Sequence, residues 1–110
     1  MSEELIVLVT VPARADGERI AEALVVEQLA ACVNIVGPIR SIYRWQGEIN
    51  RDDEHLLLIK TTRARYVELE ARVRALHTYE VPEVVALPIE MGSAAYLEWL
   101  RAMTGEPVCR

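Results

Sequence analysis

Few residues in this chain have the chemistry for a site, and they fall at three places. His77 precedes Glu80 and Glu83, so an imidazole and two carboxylates lie within sequence reach of one divalent cation. An extended segment turns only alternate side chains the same way, and ion affinity here would need ligands from a neighbouring subunit. The plainer reading makes His77 a hydrogen-bonding residue at a helix end. Lys60 closes a wholly aliphatic stretch, and its ammonium must find solvent, a carboxylate or an anion. A salt bridge to a glutamate is the simple outcome and a small anionic ligand the sharper one. Tyr43 and Trp45 are spaced i, i+2, which puts both rings on one strand face and suits a subunit interface. Asp52, Asp53 and Glu54 could draw Mg²⁺ or Ca²⁺ weakly, but they lack the glycine and spacing of a calcium loop and read as solvated strand. Cys32 reads as a small core residue and Cys109 as part of a frayed tail; two cysteines cannot build a four-cysteine metal centre.

The chain that must position these groups has 110 residues, 52% hydrophobic and 26% charged, enough for a single domain over 1–110 that folds without metal or disulfide. It has no Phe, so the core is built from Val, Leu, Ile and Ala. A net charge of −5 repels a phosphate backbone and argues against nucleic acid. The longest aliphatic run, Leu5 to Val9, is far short of the roughly 20 residues of a spanning helix, so no membrane partner is expected. Met1-Ser2-Glu3-Glu4 has no secretory character, which makes a cytoplasmic location the expectation.

Leu5 to Val11 is uncharged and ends at Pro12, the pattern of a short strand buried on both faces. Ile20, Leu24 and Val25 predict an amphipathic helix from Asp16 to Ala31, with Asp16 as a possible cap. Cys32 to Trp45 returns to strand, with room for a bulge at Gly37-Pro38. Gln46-Gly47-Glu48 turns it into a second strand, Ile49 to Thr62, giving one long hairpin. Tyr66, Leu69, Val73 and Leu76 predict a helix over Arg63 to Leu76, a strand follows from Val81 to Ile89, and Ser93 caps a last short helix. The fold class is therefore α+β: a ferredoxin-like βαββαβ sandwich, helices on one sheet face, with a long β-hairpin and a C-terminal helix.

A hairpin arm of about 12 residues spans roughly 40 Å, whereas a helix of about 16 residues covers about 24 Å. The arm overhangs its own helices and exposes Ile42, Tyr43, Trp45 and Ile49, which predicts self-association. Closed symmetry would shelter these edges, with two or three copies equally allowed.

Six blocks in order resemble one family: Thr10-Val11-Pro12; Leu29 to Ile35; Ser41-Ile42-Tyr43-Arg44-Trp45-Gln46-Gly47-Glu48-Ile49; Ile59 to Thr62; His77-Thr78-Tyr79-Glu80-Val81-Pro82-Glu83; and Tyr96 to Leu100. Over Leu5 to Leu100 the chain is similar to CutA, the divalent-cation-tolerance protein family. The resemblance implies a PII-like homotrimer built by inter-subunit strand pairing. It also implies a cytoplasmic role in tolerance of copper, Cu²⁺, or other divalent cations, with no established catalysis and no cofactor needed for folding. It places Lys60, Tyr79, Glu80 and Tyr43 near an inter-subunit cleft. The sequence departs from the family in two respects. Thr78 replaces the usual proline after the histidine, and of three ligands proposed for copper in some members only His77 survives, Val9 and Leu76 standing at the other two positions. Acylphosphatases share the subunit plan but need an anion-cradling loop that Pro12 to Gly17 does not provide, and an RNA-recognition sheet would need aromatics where Val and Leu stand. The expectations that remain are a metal-handling protein or, as the alternative, a PII-like trimer that binds a small ligand or a protein.

Overall fold

The computed structural model describes residues 3–105, and Cys109 lies outside them. β1 (Glu4–Val11), α1 (Arg14–Val26), β2 (Cys32–Trp45), β3 (Glu48–Thr62), α2 (Tyr66–Leu76), β4 (Val84–Pro88) and α3 (Ala94–Met103) follow in order, with a 3₁₀ turn at Arg63–Arg65 leading into α2. The four strands form one antiparallel sheet in the order β2-β3-β1-β4, the ferredoxin-like arrangement.

Strand alternation sorts the side chains. Val7, Val9 and Val11 of β1 and Leu57 and Ile59 of β3 point to one face, where Ile20 and Leu24 of α1 and Leu69 and Val73 of α2 close over them with no solvent exposure. Each such side chain contributes about 1.5–3 kcal/mol by leaving water. The opposite face carries Ile6, Leu8, Leu56 and Leu58, all half-buried, beside exposed Val36, Val85 and Leu87. β1 is thus buried on one face in the single chain, where the uncharged run predicts two.

The helices also depart from the expected single layer. Arg101 of α3 pairs with Glu4 at 2.6 Å, and Tyr96 lies beside Cys32, which places α3 at one end of the open face, away from α1 and α2. Ser93 caps it as expected, its hydroxyl accepting from the Tyr96 N–H at 3.2 Å. Cys32 is correspondingly half-buried on the open face rather than in the core.

Three boundaries move for physical reasons. α1 begins at Arg14 without a side-chain cap, Asp16 sitting inside its first turn, and it ends at Val26 because Gln28 adopts a left-handed φ of 61°. Leu29 and Ala30 then bury themselves, both N–H groups donating to the Leu24 carbonyl, instead of continuing the helix. β4 starts only at Val84, since residues 81–83 leave the sheet. At the hairpin tip Gln46 and Gly47 both have positive φ, which matches the twist of the strands they join. A register shift between Val36 and Ile39 confirms the bulge at Gly37-Pro38, and a Cβ on Gly37 would lie 2.6 Å from the His55 ring. Beyond β1, the pairing of β2 with β3 continues as a free two-stranded arm to Trp45 opposite Glu48, and the molecule measures 52 × 26 × 21 Å.

Candidate functional site

The arm supplies one wall of a cleft, and residues 78–83, between α2 and β4, supply the other. The space between is about 760 Å³, with Thr10 and Glu54 deep in it and Tyr43, Trp45, Tyr79, Glu80 and Glu83 around it. Register explains the arm's contribution. Tyr43 lies opposite Asn50 and Trp45 opposite Glu48, so both rings share the side of β3 that carries Asp52 and Glu54. Ile42 and Ile49 belong to the reverse side of the arm, where both are exposed, although Ile42 reaches the cleft rim. Asp52, Asp53 and Glu54 cannot converge on an ion, because alternation sends Asp53 to the reverse side, where it pairs with Arg40 at 3.0 Å.

His77 ends α2 and fixes the second wall. Its Nε2 lies 2.7 Å from the Thr10 carbonyl, which can only accept, and its Nδ1 lies 3.0 Å from the Tyr79 backbone N–H, which can only donate. The tautomer is therefore set, with the proton on Nε2. Both ring nitrogens are committed, and no lone pair is left for a metal in this arrangement. The ring also packs against that of Tyr79, centroids 4.7 Å apart, and the Tyr79 hydroxyl donates to Glu54 at 2.7 Å. A continuous chain of contacts thus runs from β1 through His77 and Tyr79 to β3.

Lys60 is not part of this cleft within one chain. It sits six residues along β3 from Glu54, roughly 20 Å at about 3.3 Å per residue, and its ammonium donates to the Asn34 side chain rather than to a glutamate. Within one chain the cleft offers a small anion no cationic partner, since among the described residues its lining has no Lys or Arg. The residue that sequence reasoning missed is Glu54, read there as one of three solvated acids. It is 6% exposed. The available signal was its parity, since Glu54 shares a strand face with Leu56 and Leu58.

Burial, followed by the hydrogen bond to Glu54, pushes the Tyr79 phenol well above the usual range. The hydrogen bond to Asp52 raises Tyr43, and burial leads in raising Tyr66 and Tyr96. Folded-state values above the unfolded value near 10 mean that the stability linked to these phenols is complete below about pH 10 and is lost as pH rises through the folded-state values. Ultraviolet titration is expected to find the four tyrosines less than half ionised at about pH 10 in the folded protein, with Tyr79 the last to ionise. Half-ionisation there, with the fold intact, would contradict the arrangement.

Residues 5–103 match the family model described as CutA1 divalent ion tolerance protein. The divalent-cation tolerance protein CutA of Thermus thermophilus is 58% identical over 102 residues, covering 93% of this chain and 99% of that one. A solved structure of the Thermus protein superposes with a TM-score of 0.91 over 93% of this chain and 99% of that one. Human protein CutA is 47% identical over 87% of this chain, which spans 54% of the human protein's length. The Archaeoglobus fulgidus structure, described as a periplasmic divalent cation tolerance protein, is 36% identical with a TM-score of 0.89 and covers 92% of this chain and 98% of that one. The names of the family model and of the Thermus and Archaeoglobus proteins describe tolerance of ions, not a reaction. With the strand order, the six sequence blocks and a match over nearly its whole length in agreement, the chain belongs to the CutA1 divalent ion tolerance family.

Proposed function

We propose that the protein serves divalent-cation tolerance as a homotrimer whose cleft is a weak cation site, with Glu54, Glu80 and Glu83 holding Cu²⁺ or another divalent ion through its hydration shell. One observation carries this reading: among the described residues the cleft is lined by three carboxylates and no basic side chain, and the deepest of them, Glu54, has a tyrosine hydroxyl as its one hydrogen-bond partner. A carboxylate removed from water without a counter-charge is costly, and a cation relieves that cost. The homotrimer is supported by the uncovered apolar sheet face and by Ile42 and Ile49, exposed on the reverse side of the arm from the cleft.

Calorimetry with Cu²⁺ tests the site. The His77→Ala variant is expected to keep the affinity of the wild type, and Glu80→Gln combined with Glu83→Gln to lose about tenfold or more, as removal of charged ligands does. The reverse pattern would return the ion to the imidazole. A second reading, a PII-like trimer that binds a small organic ligand, is favoured by the three aromatic rings around the same space.

A further inference from the structure

We propose that the cleft receives a small organic cation, a guanidinium or alkylammonium group, and that this is the ligand its walls fit better than a bare metal ion. The inference rests on the cation-selective cleft of the preceding reading and names the class of ligand. Charge sets the polarity: Glu54 is 6% exposed, accepts one hydrogen bond from Tyr79, and forms no ion pair with a basic residue among the described residues. Glu80 and Glu83 reinforce it at the rim.

The rings decide between cations. Tyr43 and Trp45 present their side chains on the same side of β2, with Tyr43 tethered by its hydrogen bond to Asp52. Tyr79 faces them from the other wall, held between His77 and Glu54. Aromatic faces attract a cation that can shed its water. A guanidinium is flat and weakly hydrated, so it can lie on a ring and donate to a carboxylate at once. A small divalent ion keeps its hydration shell and gains little from the rings. A coordination sphere is not assembled here either. Among the described residues no three His, Cys, Asp or Glu side chains converge, and both nitrogens of His77 are engaged. The cleft, at about 760 Å³, lies within the range of roughly 300–1,000 Å³ usual for small-molecule sites.

Calorimetry and proton NMR of the full chain with ethylguanidinium chloride, run beside titrations with Cu²⁺ alone, test this. The ethyl protons are expected to shift upfield on binding, because they enter the shielding cone of a ring. Glu54→Gln is expected to weaken ethylguanidinium by about tenfold or more, and Tyr43→Leu to abolish the upfield shift, while Tyr43→Phe, which keeps the ring, weakens binding less than Tyr43→Leu. Circular dichroism of each variant checks that it is folded. Cu²⁺ binding without ethylguanidinium binding overturns the inference and leaves the cation cleft standing. Absence of both overturns the two together. Ethylguanidinium binding that ignores Glu54→Gln and Tyr43→Leu places the ligand elsewhere and also overturns it.

Discussion

Leu58→Glu is expected to leave the chain folded and to dissolve its assembly. Leu58 sits opposite Leu8 and Asn34 on the sheet face that α1 and α2 do not cover, half-buried in the single chain. In the proposed homotrimer this face is closed by neighbouring copies, and every copy would carry the new carboxylate into an apolar contact. An unpaired charge buried in this way costs about 3 kcal/mol or more, which raises the dissociation constant by roughly two orders of magnitude. Sedimentation at micromolar concentration should return the mass of one chain, while the far-ultraviolet spectrum keeps its mixed helix and strand character. A variant that sediments like the wild type would remove this face from the interface.

The residue one step earlier gives the second large effect through a different route. Leu57 points to the helix side, has no solvent exposure, and lies against Val9 and Val11 of β1 and the close approach of Gly17 on α1. Leu57→Ala is expected to destabilise the fold by about 2–5 kcal/mol, the usual sum of lost transfer energy and residual cavity. That is a large share of the roughly 5–15 kcal/mol by which a domain of this kind is stable. Urea unfolding of the two variants separates the roles, because the Leu57→Ala transition should remain early even at protein concentrations that favour assembly. A loss below about 1 kcal/mol would show that the helices collapse onto the vacated space.

Neighbouring leucines with opposite duties show what the sequence could and could not disclose. Four consecutive aliphatic residues, Leu56 to Ile59, put apolar side chains on both sides of the strand, and nothing local says that one side is closed by the chain itself and the other left open. The order of elements along the chain, the tight turn at Gln46-Gly47 and the bulge at Gly37-Pro38 were legible because they follow from hydrophobic periodicity and from residues with special backbone freedom. The early end of α1 was not, since Gln28 takes a left-handed conformation with no glycine to announce it. The late start of β4 was hidden for another reason. Val81 to Glu83 has strand composition, but the segment just before it is tied by His77 and Tyr79 to residues 67 and 25 positions away in sequence. Tyr43, Trp45, Tyr79 and Glu80 do meet at one cleft, whereas Lys60 does not join them within a single chain, and Glu54 was concealed among acids of the same type.

The bulge between Val36 and Ile39 has a consequence for the cleft. Before it, even-numbered residues of β2 share a side with even-numbered residues of β3, as Val36 does opposite Leu56; after it, odd-numbered residues do, as Tyr43 does opposite Asn50. A single inserted residue therefore changes the phase of the outer strand. Were β2 to run past Gly37-Pro38 without the bulge, Ile42 would lie opposite Asn50 and Arg44 opposite Glu48, on the inner side in place of Tyr43 and Trp45, and the turn would lengthen by one residue. The electrostatic sign of that wall is thus written as an offset in the count along the backbone as much as in the choice of side chains.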